Sequence, residues 1–445
     1  MPSEKESKAL AIIRKLHEAG FEAYLAGGCV RDRILGVEAK DYDIATNARP
    51  EVVQRIFDET IAVGAKFGVI VVLSGSDPFE VATFRADAPY LDGRRPSAVH
   101  YGTIEEDARR RDFTIGGMYY DLLADRVIDL VGAMRDLRAG IIRSIGDPYE
   151  RFDEDRLRIL RAARFAARLG FAIDPATWAA MKRTAATITG IAAERIGEEL
   201  VMIMTEGGAA RGLDLMIESG LAQALLPELV ETVGCTQPEN FHPEGDVYVH
   251  TRLAVSMLEA GCSETLAFGV LLHDVGKPRC RAVINGKMTF YGHTERGAEM
   301  AAEIMRRFKR PRFVQERVAY LVRDHLRLCI APRMRQATLK RMLGEEGFEE
   351  LLELARLDAL ASSSYLGYYH FCRRAMRRLS QAEIRPPRLI GGDDLIGMGL
   401  APGPSFKTIL KEVEDLQLDG ALTSREQALE HVRTHHAPPV RSAAS

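Results

Sequence analysis

A glycine pair near the N-terminus is the first stretch of this sequence whose residue types suit chemistry. The apolar run 21–26 predicts a short strand, Gly27 and Gly28 predict a tight turn, and a helix is expected to begin near Cys29. The exposed N–H groups and the positive end of such a helix suit a phosphate group. Arg31 lies in the first turn of that helix, where its guanidinium can add a bidentate phosphate contact.

Two aspartates that follow this helix predict a metal site. Asp41 and Asp43 are i and i+2 of a predicted strand, so both carboxylates are expected to face one point. Two negative charges that close are costly unless a cation holds them together, and hard oxygen ligands beside a phosphate site favour Mg²⁺. Glu80, at the start of a later predicted strand, is either a third ligand for the same ions or a surface residue of an edge strand.

In this order and spacing, the two elements resemble the nucleotidyltransferase signature of the polymerase-beta superfamily. The sequence has G-G-x-V-R-D at 27–32 and D-x-D at 41–43, the form found in class II tRNA nucleotidyltransferases (the CCA-adding enzymes) and bacterial poly(A) polymerases. The resemblance implies nucleotidyl transfer with two Mg²⁺ ions at Asp41 and Asp43, one acting on the RNA 3′-hydroxyl and one on the leaving pyrophosphate. It also implies that the triphosphate is seated by Gly27, Gly28 and Arg31.

A run of arginines at 109–111 extends the resemblance. Followed by D-F-T, it resembles the R-R-D-F-T motif of the same family, which contacts the sugar and phosphates. The resemblance implies that Arg111 binds the triphosphate and that Asp112 is a further nucleotide contact. Gly116 stands where the family usually has Asn, so no side-chain role is predicted at this position. The stretch 127–140 resembles the hinge motif of the family.

A second informative stretch, 147–170, alternates arginines with acidic residues along a predicted helix. Its charges predict either a salt-bridged surface helix or a surface for polyphosphate and RNA. Asp155 and Arg158, at i and i+3 on one face, can together read a base, since the carboxylate accepts from the exocyclic amine of C or A and the guanidinium donates to the neighbouring ring acceptors. The stretch resembles the family's E-D-x-x-R motif at 154–158. The resemblance implies that Asp155 and Arg158 act as an amino-acid template and that Arg161 and Arg164 bind nucleotide.

Histidines and aspartates in the second half of the chain form another set. His273 and Asp274 are adjacent in L-L-H-D-V-G-K-P, with another histidine before them and an aspartate after them. This order resembles the H…HD…D ligands of the HD phosphohydrolase superfamily, and the matching residues are His250, His273, Asp274 and Asp358. His293 and His325 would complete a two-metal set, of Mg²⁺ or a divalent transition metal, that activates water on a phosphoester. The alternative is a non-catalytic helical body that kept part of the set.

The composition excludes several classes of protein. The net charge is −3, so a nucleic acid must be held by local basic clusters, for which 306–312 and 373–378 are candidates unless they are only solvated helix faces. The six cysteines form no C-x-x-C pair, which favours reduced thiols in a cytoplasm. The N-terminus has no apolar signal region, and no apolar run nears the ~20 residues that a membrane helix needs.

Residues 86–102 are rich in Pro, Gly and charge, and are expected to form a long loop without regular structure. Four charged residues suit a lid that touches phosphates or the primer: Asp87, Asp92, Arg94 and Arg95. In the resembled family this region is the flexible loop associated with the switch from C to A addition, so its presence favours full CCA addition. The stretch 63–72 lacks the basic pattern of the poly(A) polymerase branch.

These patterns predict an α+β protein of four parts. They are a small mixed α/β, polymerase-beta-like nucleotidyltransferase head at 1–142, a helical neck and body at 143–232 that templates the nucleotide and binds RNA, an HD domain at 233–380 and a helical tail at 381–445. The predicted function is the template-independent addition of C, C and A to the 3′ end of tRNA from CTP and ATP, in the cytoplasm and without a membrane partner.

Three alternatives to this function stay open. The first is a related transferase with a narrower product, which adds only CC, only A, or poly(A). The second is an HD phosphohydrolase whose head only senses a nucleotide. The third is an RNA-binding scaffold, which is disfavoured because a scaffold has no need of the Asp-x-Asp pair. The sequence leaves the oligomeric state undetermined.

Overall fold

The computed structural model describes residues 3–64, 68–87, 99–238 and 245–436, with no side-chain description at 63, 64, 87 and 99. The chain divides into two compact units. The first comprises Met1–Glu231, Leu258–Glu264 and Ile304–Arg310, and the second comprises Thr232–Met257, Thr265–Glu303 and Pro311–Ser445. Among the described residues, no helix combines the length and hydropathy that crossing a membrane requires.

The N-terminal part of the first unit contains nearly all of the β-structure. Its strands are β1 Ala23–Ala26, β2 Asp43–Thr46, β3 Thr60–Gly64, β4 Val69–Ser74, β5 Asp77–Thr83, β6 Arg85–Asp87, β7 Val99–Tyr101, β8 Met118–Asp121 and β9 Arg126–Asp129. Its helices are α1 Glu4–Glu18, α2 Gly28–Ile34, α3 Pro50–Ile56, α4 Ile104–Arg109 and α5 Ala133–Ala139, with a 3₁₀ turn at Thr114–Gly116.

Seven of these strands form one sheet in the order β3-β4-β5-β2-β1-β8-β9. Only the β2–β5 pair is parallel, and β6 pairs with β7 in a separate hairpin. Helix α1 begins after Ser3, whose Oγ accepts the N–H of Glu6, and its apolar side chains are buried. The predicted mixed α/β head followed by a helical body is confirmed.

The sequence predicted three details of this region incorrectly. Strand β2 begins at Asp43, so Asp41 precedes the strand; β1 ends at Ala26, the partner of Asp43, and leaves the preceding residues no strand to pair with. Strand β3 was not predicted. The stretch 86–102 is not wholly irregular, because its two ends pair as β6 and β7. Asp92, Arg94 and Arg95 lie outside the described residues.

The remainder of the first unit is mainly helical. It contains α6 Pro148–Glu154, α7 Leu157–Leu169, α8 Pro175–Thr184, α9 Ala193–Thr205, α10 Ala209–Ser219, α11 Leu221–Leu225 and α12 Pro227–Val230, a 3₁₀ helix at Ala185–Gly190, and the short strands β10 Ile141–Ile142 and β11 Ala172–Ile173.

The sequence predicted one helix through 147–170. This prediction is wrong, because the helix is interrupted at Asp155. Asp155 has extended backbone angles (φ −140°, ψ 101°) and ends α6. Its Oδ1 accepts the N–H of Leu157 at 3.2 Å, so the side chain begins the next helix instead of continuing the first. Asp155 and Arg158 are therefore not neighbours on one helix face.

In its described residues, the second unit is helical apart from one hairpin and an isolated bridge between Thr236 and Asp246. It contains α13 Val247–Ser256, α14 Glu264–Leu272, α15 Lys277–Cys280, β12 Ala282–Ile284, β13 Lys287–Thr289, α16 His293–Arg307, α17 Arg312–Asp324, a 3₁₀ helix at Arg327–Arg333, α18 Gln336–Leu343, α19 Phe348–Ala361, α20 Gly367–Arg378, α21 Gln381–Ile384, α22 Gly392–Gly397, α23 Pro404–Leu418 and α24 Arg425–His436. Helices α14 and α16 extend into segments of the first unit.

We expect Gly208→Ala to destabilise the first unit. Gly208 has φ +72° before α10, and a Cβ there would lie 2.2 Å from the carbonyl oxygen of Ala167. The left-handed backbone costs about 1–2 kcal/mol for a side chain, and the clash adds about 1–3 kcal/mol. Gly170→Ala is the control, because Gly170 has φ +68° but no atom within 4 Å. If urea denaturation shows equal losses of unfolding free energy in Gly208→Ala and Gly170→Ala, the close approach of Gly208 to Ala167 is contradicted.

Candidate functional site

The predicted glycine elbow is present, and two predicted arginines lie against it. Gly27 has φ +73° and precedes α2, a backbone conformation that requires glycine. A Cβ at Gly27 would lie 3.1 Å from Nη1 of Arg111, and one at Gly28 would lie 3.7 Å from Nη2 of Arg31. The structure therefore brings together the four residues that the sequence assigned to the triphosphate.

Arg111 is held in place by a buried carboxylate that the sequence did not single out. Its Nη2 lies 3.0 Å from Oδ2 of Asp107, and its guanidinium lies 5.0 Å from the ring centre of Tyr119. The Tyr119 hydroxyl donates to the same Asp107 oxygen at 2.6 Å. Burial alone would raise the pKa of Asp107, but the guanidinium groups of Arg110 and Arg111 lower it. Asp107 therefore stays charged and orients Arg111.

At the start of β2, the charges of Asp41 and Glu80 both act on the carboxylate of Asp43. The parallel register places Ile44 opposite Val81, so Asp43 lies beside Glu80. Asp43 keeps solvent access, yet partial desolvation of its carboxylate and the charge of Glu80 raise its pKa to about 6, with Arg111 opposing and Asp41 adding to the shift. Crowded carboxylate oxygens are a donor set that fits Mg²⁺.

Asp41 has a more open environment than Asp43. Its side chain is 85% exposed, and the nearest cation is Nζ of Lys5 at 3.8 Å. Because Asp41 precedes the strand, its carboxylate is not fixed by sheet pairing as the sequence predicted. It nevertheless contributes to the electrostatic field at Asp43.

Arg158 is the most constrained of the predicted base-reading residues. It is only 3% exposed, and its guanidinium contacts Oδ1 of Asp112 at 3.0 Å and Oε2 of Glu154 at 2.8 Å. Oδ2 of Asp155 instead lies 3.2 Å from Nη2 of Arg195. The structure thus holds Arg158 next to Asp112 of the arginine motif, whereas the carboxylate of Asp155 has a different cationic partner.

An aromatic ring gathers three arginines near the elbow. The guanidinium groups of Arg31, Arg161 and Arg164 lie 5.7, 5.5 and 4.3 Å from the ring centre of Phe165. Each arginine has a carboxylate partner: Asp32 accepts from Arg31 at 2.6 Å, Asp112 accepts from Arg161 at 2.5 Å, and the buried Glu199 accepts from Arg164 at 2.8 Å. The sequence analysis assigned no role to Phe165 or Glu199.

In the second unit, all six residues predicted for the HD site converge. Within each of two groups, the candidate ligand atoms lie within 4.8 Å of one another. The first group is His250, His273 and Asp358, and the second is Asp274, His293 and His325. Nε2 of His250 lies 3.0 Å from Oδ1 of Asp358 and 3.1 Å from Nε2 of His273.

Asp274 lies between the two groups and touches both. Its Oδ2 is 3.3 Å from Nε2 of His273, whereas its Oδ1 is 3.6 Å from Nε2 of His293 and 3.8 Å from Nε2 of His325. Its Oδ2 also lies 2.7 Å from Nζ of Lys277. One carboxylate can therefore bridge two cations.

Hydrogen bonding at the far side of the rings fits this cluster to metal ions. Nδ1 of His273, His293 and His325 each contacts a backbone carbonyl oxygen at 2.7–2.8 Å, that of Val270, Phe290 and Val322 respectively. We assign these Nδ1 atoms as donors, which leaves each Nε2 as a lone pair facing the centre. Oδ1 of Asp274 and Nε2 of His293 are buried without a hydrogen-bond partner among the described residues. Acceptors that face one another are a donor set that fits a cation.

The main chain fixes the separation of the ligand-bearing segments. A Cβ at Gly276 would lie 2.3 Å from the carbonyl oxygen of His293 and 2.7 Å from the backbone N of Gly297. The segment after Asp274 therefore packs directly on the start of α16. Beside the cluster is a cavity of about 530 Å³, whose lining includes Lys277, Phe290, Tyr291 and Leu326.

We expect the cluster to make the second unit less stable at acid pH. Burial lowers the pKa of His325 from 6.5 to about 4, so the unfolded chain binds a proton that the folded chain does not between those values. Stability should fall by up to about 1.4 kcal/mol for each pH unit over this window. The opening free energy of α17, obtained from hydrogen exchange with EDTA present near neutral pH and at about pH 5, measures this loss of stability.

His325→Gln should remove this part of the pH dependence. His370→Gln in the same unit is the matched control, because His370 is exposed. An unchanged pH slope in His325→Gln would contradict the assignment of His325 as a buried neutral imidazole.

Three family models match successive parts of the chain. The poly A polymerase head domain matches 23–143, the probable RNA and SrmB-binding site of polymerase A matches 170–232, and the HD domain matches 247–362. The CCA-adding enzyme of Streptococcus pneumoniae serotype 19F is 42% identical over 233 residues, 52% of this chain and 58% of the relative. That of Limosilactobacillus fermentum is 43% identical over 223 residues, 50% and 55% of the two chains. The chain thus spans little more than half the length of these curated relatives.

Solved structures extend the similarity along the chain. A Bacillus stearothermophilus CCA-adding enzyme in complex with CTP has a TM-score of 0.75 at 27% identity, covering 97% of this chain and 99% of that one. A Thermotoga maritima CCA-adding enzyme complexed with tRNA has a TM-score of 0.58 at 21% identity, covering 98% and 96%, and supports the fold alone. From its first half onward, the chain thus matches in succession a poly A polymerase head domain, a probable RNA-binding region of polymerase A and an HD domain.

Proposed function

We propose that this protein is a template-independent tRNA nucleotidyltransferase that adds C, C and A to the tRNA 3′ end from CTP and ATP. The observation that carries this proposal is the convergence of Arg31 and Arg111 on one glycine elbow, with Asp43 close enough to both Arg111 and Glu80 for their charges to act on its carboxylate. The similarity to CCA-adding enzymes supports the same reaction. Because the proposed substrate is tRNA, we expect the protein to act in the cytoplasm.

The residues of the head have distinct roles in this proposal. Asp41 and Asp43, with Glu80 beside them, would hold Mg²⁺, which lowers the pKa of a hydroxyl nucleophile and neutralises pyrophosphate charge. Gly27 and Gly28 let the backbone approach the phosphates closely. Arg31 and Arg111 neutralise the triphosphate, and Asp107 keeps Arg111 aimed at the elbow.

Base selection is assigned to the arginine stretch. Asp155 and Arg158 would pair with the Watson–Crick edges of C and A, whereas U and G present a donor where Arg158 donates and would leave buried groups unpaired at about 1–3 kcal/mol each. Arg158 is already oriented by Asp112 and Glu154. Arg161 and Arg164, gathered around Phe165, supply further nucleotide contacts.

We also propose the four-part organisation given by the sequence motifs, with the head at 1–142, neck and body at 143–232, HD domain at 233–380 and tail at 381–445. The matched RNA-binding region at 170–232 supports the assignment of the body to tRNA.

The product of the reaction separates this proposal from its narrower relatives. A tRNA lacking its 3′ end is incubated with CTP alone, ATP alone or both nucleotides, and the products are sequenced. A CCA-adding enzyme yields CC with CTP and CCA with both nucleotides. Products that stop at CC with both nucleotides, that require a preformed CC end, or that extend as poly(A) would each replace the proposal with the corresponding transferase.

We predict that Asp43→Asn lowers incorporation of both CTP and ATP by at least about 10³-fold, because it removes a charged metal ligand from the reacting centre. Binding of tRNA, measured by filter retention, should be unchanged. Glu38→Gln is the matched control, since Glu38 is an exposed acidic residue of the preceding loop. Incorporation within tenfold of wild type would refute the role of Asp43.

A second activity, metal-dependent phosphoester hydrolysis, is favoured by one observation in the HD region. Asp274 of one ligand group also contacts His273 of the other, and its Oδ1 and Nε2 of His293 are buried acceptors without a hydrogen-bond partner among the described residues. The residues fit Mg²⁺ or a divalent transition metal, and we favour a transition metal because four imidazoles contribute. A bound metal pair would supply an activated water for a phosphoester, and Lys277 would place positive charge beside the cavity.

We predict that Asp274→Asn abolishes hydrolysis of p-nitrophenyl phosphate while CTP incorporation continues. The substitution keeps the shape of the side chain and removes the bridging charge. Asp324→Asn, in the same unit but outside both ligand groups, is the control. Hydrolysis that survives in Asp274→Asn would show that the HD cluster is not the source. Hydrolysis without any nucleotide incorporation by wild type would favour a phosphohydrolase with a sensing head.

A further inference from the structure

A third group of ligand-type side chains lies in the C-terminal helical module. Glu412 of α23 contacts two histidines of α24: its Oε1 is 2.8 Å from Nε2 of His431, and its Oε2 is 3.0 Å from Nε2 of His436. The three ligand atoms lie within 4.8 Å of one another. This group shares no residue with the two HD groups.

The residue types and spacings match a zinc site with an open position. Two imidazole nitrogens and a carboxylate are ligands that zinc prefers, at about 2.0–2.2 Å from the ion. Tetrahedral ligands at that distance are roughly 3.3 Å apart, so the two His–Glu separations, 2.8 and 3.0 Å, need to widen by about half an ångström or less. The side chains of His431, His436 and Glu412 are 17%, 25% and 40% exposed, which leaves an entry path and room for water.

The position of the group suggests what an ion would do there. In the described part of this module, the helices α22 to α24 and the segment before them, six apolar residues are fully buried in one core cluster, and seven more are only partly buried against it. The six are Ile390, Leu395, Ile409, Val413, Ala428 and Val432. Small helical modules with few core residues gain stability from cross-links. His431 and His436 lie in the last described turns of α24, so an ion held by all three side chains would fasten these turns to α23.

We propose that Glu412, His431 and His436 bind a divalent transition metal ion, Zn²⁺, and that this ion fixes α24 to α23. The site is separate from both proposed reactions. The competing interpretation is a pair of hydrogen-bonded ion pairs that need no metal, since a single carboxylate can accept from both rings.

Local hydrogen exchange distinguishes the two interpretations. The full-length protein is stripped with EDTA, and amide exchange in Pro404–Leu418 and Arg425–His436 is measured with and without Zn²⁺. At a free zinc concentration ten times the dissociation constant, exchange that requires these helices to separate should slow by about tenfold. No zinc-dependent slowing in either helix would overturn the proposal, because a pair of ion pairs does not respond to zinc.

Variants identify the ligands without relying on zinc stoichiometry. His431→Gln/His436→Gln and Glu412→Gln should each lose the slowing, whereas His435→Gln should keep it; His435 is an exposed neighbour on the same helix. Asp274→Asn should also keep it, which excludes an effect of metal bound at the HD cluster. Full slowing in the double variant, or its loss in Asp274→Asn, would overturn the assignment. Glu412→Gln removes the negative charge of Glu412 but keeps an oxygen acceptor. It therefore tests the need for that charge even if the double histidine variant unfolds the module.

Discussion

Buried guanidinium groups need a carboxylate partner, and this constraint organises the first unit. Arg111 depends on Asp107, Arg158 and Arg161 share Asp112, and Arg164 depends on Glu199. A charge removed from water is costly unless it is paired, and a guanidinium paired along one edge still has donors on its other edges. The carboxylates therefore hold the cations in fixed positions without consuming all of their hydrogen-bonding capacity. In the proposed function, a polyanionic nucleotide would then bind to arginines that are already ordered.

Much of the site could be predicted because its residues belong to short local patterns. The glycine elbow and the Asp41–Asp43 pair are contiguous or nearly so, and the six HD residues include four of the eleven histidines of the chain. The fold class followed from strand signals confined to the first part of the chain. The supporting residues Asp107, Phe165 and Glu199 have no such pattern, since their roles arise only when distant segments pack together.

The errors also have physical causes. Asp41 and Asp43 alternate as a strand would, but pairing stops where β1 turns at Gly27, and a single sequence does not show where its partner strand ends. Asp155 lies between two helical patterns, yet its short side chain competes for a backbone N–H and starts a new helix. The ends of the 86–102 stretch pair because each supplies a few extended residues to the other. In each case a tertiary or capping interaction overrode the periodicity.

The contact of Gly276 with the backbone at His293 and Gly297 has a consequence for metal selectivity. Main-chain atoms in van der Waals contact cannot approach further, and the chain has no side chain between them that could rotate to widen the gap. An ion of larger or smaller radius must therefore be accommodated by torsions of the imidazole and carboxylate groups alone. The torsions of the rings are restrained in turn by their carbonyl partners, so the cluster should discriminate among cations by size in addition to ligand identity.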